Sequence, residues 1–218
     1  MKIFLDTLEL SSIQKYSDMG ILAGVTTNPT LAKRHGMVDD IDMIKKIREV
    51  MSVGEIHVEA WGTTKEEILS NIERLKSQSN DIDLVFKIPF SSAGIEACNA
   101  ATRNGDKTNM HLIFSHNQAI LCANVNSTYI CPLVGRLDDT GHDAMLFIGE
   151  LVKTFNERYS FDTNIMVSSV RHPMHVVKAA KAGAVQTQGD DPERNENPGH
   201  HQNGRKIARV CRRDRDET

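Results

Sequence analysis

The chain has 218 residues, a formal net charge of -3, 39% hydrophobic and 25% charged residues, which fits one globular domain with a sizeable core and gives no global pull toward nucleic acid or acidic membrane. Its four cysteines, Cys98, Cys122, Cys131 and Cys211, make no C-x-x-C pair and no zinc-ligand spacing, so neither a disulfide framework nor a structural metal is indicated. Asp6 interrupts the first apolar run, and no later run approaches the roughly 18 apolar residues of a membrane span, so a soluble cytoplasmic protein is expected.

In chain order, short apolar runs alternate with segments of helical period. Strands are predicted at 2–5, 22–26, 56–61, 84–88, 110–114, 129–134 and 164–168, and helices at 10–17, 42–51, 65–76, 93–103, 117–123, 144–156 and 174–181. This alternation marks βαβ units and a parallel sheet. The predicted class is α/β, a (β/α)8 TIM-type barrel of which seven β/α units are recognisable. An eighth strand is due near Ala184, but the stretch from Gln186 carries several breakers and no β-branched or aromatic run. Residues 1–185 are therefore read as the barrel and 186–218 as a polar tail too poor in apolar residues to pack.

Working residues of parallel barrels sit at the C-terminal ends of strands, and here nearly every strand ends in a polar residue. Asp6 closes the first run, Thr26, Thr27 and Asn28 the second, Glu59 lies in the third, Lys87 in the fourth, Arg136 follows the sixth, and Ser169 and Arg171 follow the seventh. Lys87 is the sharpest of these. It is flanked by Val85, Phe86, Ile88 and Pro89, and an ammonium among apolar neighbours is costly unless it is paired or functional. The unprotonated amine condenses with a ketone, and the resulting iminium acts as an electron sink for carbon-carbon cleavage. A structural pair with Asp6 or Glu59, or an outward-pointing lysine, is the competing reading. Asp6 and Glu59 could take separate proton tasks beside Lys87 or serve as strand-end caps. Arg136, Ser169 and Arg171 have the chemistry of a phosphate clamp or are solvated surface groups.

Six motifs taken together, Phe4-Leu-Asp6-Thr7, Gly24-Val-Thr-Thr-Asn-Pro-Thr30, Val85-Phe-Lys-Ile-Pro89, Ile113-Phe-Ser115, Gly135-Arg-Leu-Asp138 and Ser169-Val-Arg-His-Pro173, resemble the transaldolase family, most closely its short-chain branch of small transaldolases and fructose-6-phosphate aldolases. The resemblance implies that Lys87 forms a Schiff base with a ketose phosphate and that Asp6 moves the proton of the hydroxyl at the cleaved bond. Glu59 would work through a bound water, Asn28 and Asn109 would hold substrate hydroxyls, and Arg136, Ser169 and Arg171 would bind phosphate. No cofactor is implied. Sugar phosphates are the expected small-molecule partners, and a homo-oligomer is left open. Glu59 and Leu133 favour transaldolase over the aldolase branch, which tends to carry glutamine and tyrosine there. The alternatives are a fructose-6-phosphate aldolase and a catalytically impaired barrel that only binds sugar phosphates.

The chain departs from the family pattern at His111, where a threonine is usual, and at Cys131 and Leu133. It also lacks a recognisable eighth strand, following helix and C-terminal helix, as a shifted reading frame or a divergent terminus would produce. His172 and His175 form H-x-x-H without an evident further ligand, so no metal site is expected.

Overall fold

The structure is a computed structural model that describes residues 1–37, 39–79, 82–184 and 186–190. Eight parallel strands close into a barrel in sequence order, β1 Lys2–Asp6, β2 Leu22–Thr26, β3 Glu55–Glu59, β4 Leu84–Pro89, β5 Lys107–Ile113, β6 Tyr129–Pro132, β7 Asn164–Val170 and β8 Gln186–Asp190. The helices are α1 Leu10–Asp18, α2 Pro29–Arg34, α3 Asp40–Val50, α4 Lys65–Gln78, α5 Ser92–Arg103, α6 His116–Asn124, α7 Val134–Asp139, α8 Ala144–Lys153 and α9 Pro173–Ala182. A π-helical stretch, Thr154–Tyr159, extends α8.

Local chemistry starts these helices where the sequence predicts them. Thr64 and Glu67 form a reciprocal capping box on α4. The side chains of Asp39, Ser91, Ser115 and Asp143 cap α3, α5, α6 and α8. Two short helices were not anticipated. Both α2 and α7 have six residues, too few to show a period, although Asn28 caps α2 and Pro29 occupies its first turn.

The eighth strand, expected to be missing or divergent, is present with a divergent sequence. Gln186–Asp190 pairs in parallel with β1 on one side and β7 on the other, so the edges an open barrel would expose are covered. A strand flanked on both sides obtains its ladder from backbone groups, and that context overrides the low β-propensity of its residues. The barrel therefore extends to residue 190, while the expected eighth helix, C-terminal helix and the rest of the tail lie outside the described residues.

Apolar burial falls into two compartments. The larger lies between strands and helices and includes Ile44, Ile47, Ile56, Ile68, Ile72, Leu75 and Ile88. The smaller contains Phe4, Val85, Tyr129, Cys131 and Met166, one or two positions from each of four strands, and fills the barrel axis. Gly24 makes room for it. A Cβ there would sit 2.3 Å from the Glu55 carbonyl oxygen and 2.7 Å from the Phe4 ring.

Candidate active site

Lys87 is only 4% exposed. Its Nζ donates a 2.7 Å hydrogen bond to the Thr27 carbonyl, and Thr27 is itself tied to β3 through its N–H and hydroxyl, which donate to the His57 carbonyl at 2.9 and 3.0 Å. The competing readings for this lysine do not match the geometry. It points inward, and its hydrogen bond goes to a carbonyl rather than to Asp6 or Glu59.

Those two carboxylates are held by other partners. Asp6 ends β1 and accepts from the Thr26 hydroxyl at 2.7 Å, with the Asn28 amide nitrogen 3.3 and 3.4 Å from its two oxygens. Asn28 divides its amide between this contact and the cap of α2, where its Oδ1 accepts from the Leu31 N–H at 3.0 Å. Glu59 ends β3 and lies beside Lys87 in the β3–β4 register. Its Oε1 is 2.8 Å from His111 Nε2, and its Oε2 is buried without a hydrogen-bond partner among the described residues. Asn109 neighbours Lys87 on the opposite side, in the β4–β5 register.

Cys131 reports on the same interior. Burial pushes its thiol up, the Lys87 charge opposes that, and Asp6 adds to it, so lysine and carboxylate both act on one point of the barrel axis. Lys87, Asp6, Glu59, Asn28 and Asn109 thus converge at the C-terminal mouth. His111, whose role the sequence left unassigned, joins them as the partner of Glu59.

The phosphate-clamp candidates sit on adjoining elements, Arg136 on α7, Ser169 at the end of β7 and Arg171 just after it, with differences among them. Ser169 has φ +55°, a left-handed conformation that a serine adopts only under constraint, at a register shift in β7. A Cβ on Gly135 would lie 2.3 Å from the Ser169 carbonyl oxygen and 2.6 Å from Arg171 Nε, so the start of α7 and the end of β7 are in direct contact. Arg171 Nη1 pairs with Asp139 Oδ1 at the end of α7. Arg136 is exposed on α7.

The H-x-x-H pair does acquire a third partner. Asp138, His172 and His175 place their ligand atoms within 4.8 Å of one another. The bonding, however, is that of a strut. The Arg171 N–H donates to His175 Nδ1 at 3.3 Å, and Nε2 donates to Asp138 Oδ2 at 2.8 Å, so both ring nitrogens are engaged and the turn after β7 is fastened to α7.

Sequence reasoning overlooked a polar chain beneath the site. His57 is fully buried, with Asn109 Nδ2 3.0 Å from its Nδ1 and Glu55 Oε2 3.4 Å from its Nε2. The Tyr129 hydroxyl donates to Glu55 Oε2 at 2.8 Å. Period-two spacing could have revealed this chain, because Glu55, His57 and Glu59 on β3 and Lys107, Asn109 and His111 on β5 occupy alternate positions that face the barrel interior.

A sequence profile of the Transaldolase/Fructose-6-phosphate aldolase family matches residues 3–191. The chain belongs to this family. It is 40% identical over 184 residues to a protein of Methanococcus vannielii named "Probable transaldolase", covering 84% of this chain and 83% of the relative. It is 42% identical over 186 residues to one of the same name from Carboxydothermus hydrogenoformans, covering 84% of each. Among solved structures, orotidine 5'-monophosphate decarboxylase from Sulfolobus solfataricus superposes with a TM-score of 0.57 at 14% identity, covering 87% of each chain, which supports the barrel fold alone. Among the described residues no helix is long and apolar enough to cross a membrane.

Proposed function

We propose that this family member is a class I transaldolase that moves a dihydroxyacetone unit between sugar phosphates, from sedoheptulose 7-phosphate to glyceraldehyde 3-phosphate, giving erythrose 4-phosphate and fructose 6-phosphate. The observation that carries the reading is a lysine buried inside the barrel mouth with two carboxylates near it, each held by a different partner.

In this reading Lys87 Nζ attacks the ketose C2, the carbinolamine loses water, and an iminium forms. Asp6 takes the proton of the C4 hydroxyl as the C3–C4 bond breaks, the aldehyde leaves, and the electron pair is stored as an enamine. Addition to the acceptor aldehyde and hydrolysis of the new iminium reverse the sequence. The Thr26 and Asn28 contacts hold Asp6 in the orientation this transfer needs. Glu59 and His111, 2.8 Å apart, serve the entry and departure of water. Arg136, Ser169 and Arg171 bind the donor phosphate, with Arg171 exchanging Asp139 for the phosphate oxygens. Such an enzyme works in the pentose phosphate pathway of the cytoplasm and needs no cofactor.

The test is borohydride reduction in the presence of fructose 6-phosphate, followed by peptide mass analysis. A stable adduct on Lys87 that is absent from Lys87→Ala is expected; an adduct on another lysine, or none, overturns the assignment. Turnover that requires a ketose donor, rather than free dihydroxyacetone, separates transaldolase from the aldolase branch.

A further inference from the structure

A buried primary amide is ambiguous by itself, because exchanging its oxygen and nitrogen turns an acceptor into a donor. Asn109 lies fully buried next to Lys87 in the β4–β5 register. What fixes its orientation is the group beneath it. The His57 ring is boxed between Phe4, whose ring centroid lies 5.0 Å away, and Tyr129 at 5.1 Å, and it touches Asn109 at Nδ1 and Glu55 at Nε2.

Glu55 selects among the arrangements. Burial would raise its carboxyl, but hydrogen bonds from His57 and Tyr129 bring it down to about 2, so near neutral pH it is a carboxylate that can only accept. The proton on His57 must then sit on Nε2. Burial also holds His57 below its ordinary value, which leaves the ring neutral and Nδ1 bare. A bare Nδ1 must be met by an N–H, so Asn109 turns its nitrogen toward His57. The same nitrogen lies 3.8 Å from Met166 Sδ, and the Asn109 side chain also hydrogen-bonds the Cys131 thiol, so its second hydrogen faces sulfur. The amide oxygen is left buried and without a hydrogen-bond partner among the described residues, a costly state unless a ligand supplies the donor.

We propose that Glu55 and His57 are positioning residues, which lock the Asn109 amide so that its oxygen is offered to substrate as an acceptor-only group and selects a ketose hydroxyl beside the Lys87 carbon-nitrogen bond. Neither residue touches the reacting atoms. The inference rests on Lys87 as the Schiff-base residue and adds what sets the polarity of its neighbour.

Two measurements test it. Nitrogen-15 NMR of the imidazoles in the intact protein reads the tautomer directly, without turnover. The Nε2–H form of His57 near neutral pH is expected, and the Nδ1–H form or a protonated ring overturns the proposal. The second compares fructose 6-phosphate with its 1-deoxy and 3-deoxy analogues in wild type and in Glu55→Gln, whose side-chain amide can donate to Nε2 and so releases the tautomer. Wild type should lose about 10- to 100-fold in kcat/KM on one analogue, and the folded variant should discriminate less than about threefold while still forming the Lys87 adduct. Unchanged discrimination in the variant, or none in wild type, sinks the proposal. Absence of the Lys87 adduct in wild type is a different failure, that of the Schiff-base reading, and leaves the NMR result to decide the orientation on its own.

Discussion

Glu55→Gln should change how stability responds to acid. The folded carboxyl sits at about 2 against an ordinary 4.5, and one pKa unit corresponds to about 1.4 kcal/mol, so ionised Glu55 contributes roughly 3 kcal/mol. Its side chain is 18% exposed, so solvent screening reduces this only modestly. Because the folded value is depressed, the contribution is complete above the unfolded value of 4.5 and is lost as pH falls toward about 2. By about pH 3 the wild type should have lost about 2 kcal/mol from this group. His57 adds a second decline of the same sign. Burial keeps it neutral in the fold, whereas the unfolded chain takes up a proton below 6.5. Urea unfolding followed from about pH 7 to about pH 3 reads both. Wild type and Glu55→Gln should differ most at neutral pH and converge in acid, while the decline that begins below 6.5 persists in the variant. A constant offset across the range would refute the linkage.

Four other changes test separate parts of the molecule. Gly135→Ala puts a methyl 2.3 Å from the Ser169 carbonyl oxygen; it should cost about 1–3 kcal/mol in urea unfolding and raise KM for phosphorylated donors by displacing Arg171. Asp139→Asn removes the carboxylate that competes for Arg171, and KM for those donors should fall by up to about fivefold, the scale of an exposed ion pair, with kcat unchanged. His111→Gln keeps a polar group near Glu59 but cannot carry a proton, so single-turnover iminium formation should slow by about 100-fold while the Lys87 adduct still accumulates; an unchanged rate would make His111 structural. Leu75→Ala, in the outer core and fully buried, should cost about 2–5 kcal/mol and leave discrimination between natural and deoxy donors as it was.

The fold was legible because seven units obey two simple periods. Lys87 stood out as a charge in an apolar strand, and the polar residues closing β1, β2 and β3 followed from the strand ends alone. The eighth strand was not legible, since what holds Gln186–Asp190 is the pair of ladders on either side, and ladder hydrogen bonds belong to the backbone. Asn109 was named from resemblance, while strand pattern started β5 three residues late because Lys107-Thr-Asn reads as a polar approach to the strand. His57 was missed for a different reason. Its neighbours Ile56 and Val58 resemble those of any half-buried strand, and only the closed barrel turns the alternate face into a dry interior where an imidazole needs partners on both nitrogens.

That interior also joins two properties that barrels usually keep apart. Residues at the N-terminal mouth ordinarily act on stability and those at the C-terminal mouth on chemistry. Here Glu55 and Lys107 begin β3 and β5, and one inward stripe runs from them through His57 and Asn109 to Glu59 and His111. The carboxylate that makes the fold acid-sensitive is therefore the one that sets the Asn109 amide, because a bare Nδ1 at one end of the imidazole requires an acceptor at the other. An apolar pair in place of Glu55 and His57 would suit the barrel axis equally well by volume and would avoid burying polar groups. It would leave the amide free to turn. The retained polar stripe makes sense if a defined acceptor beside Lys87 is worth the stability it puts at risk in acid, and that exchange is what separates Glu55→Gln, which should affect both properties, from Leu75→Ala, which should affect one.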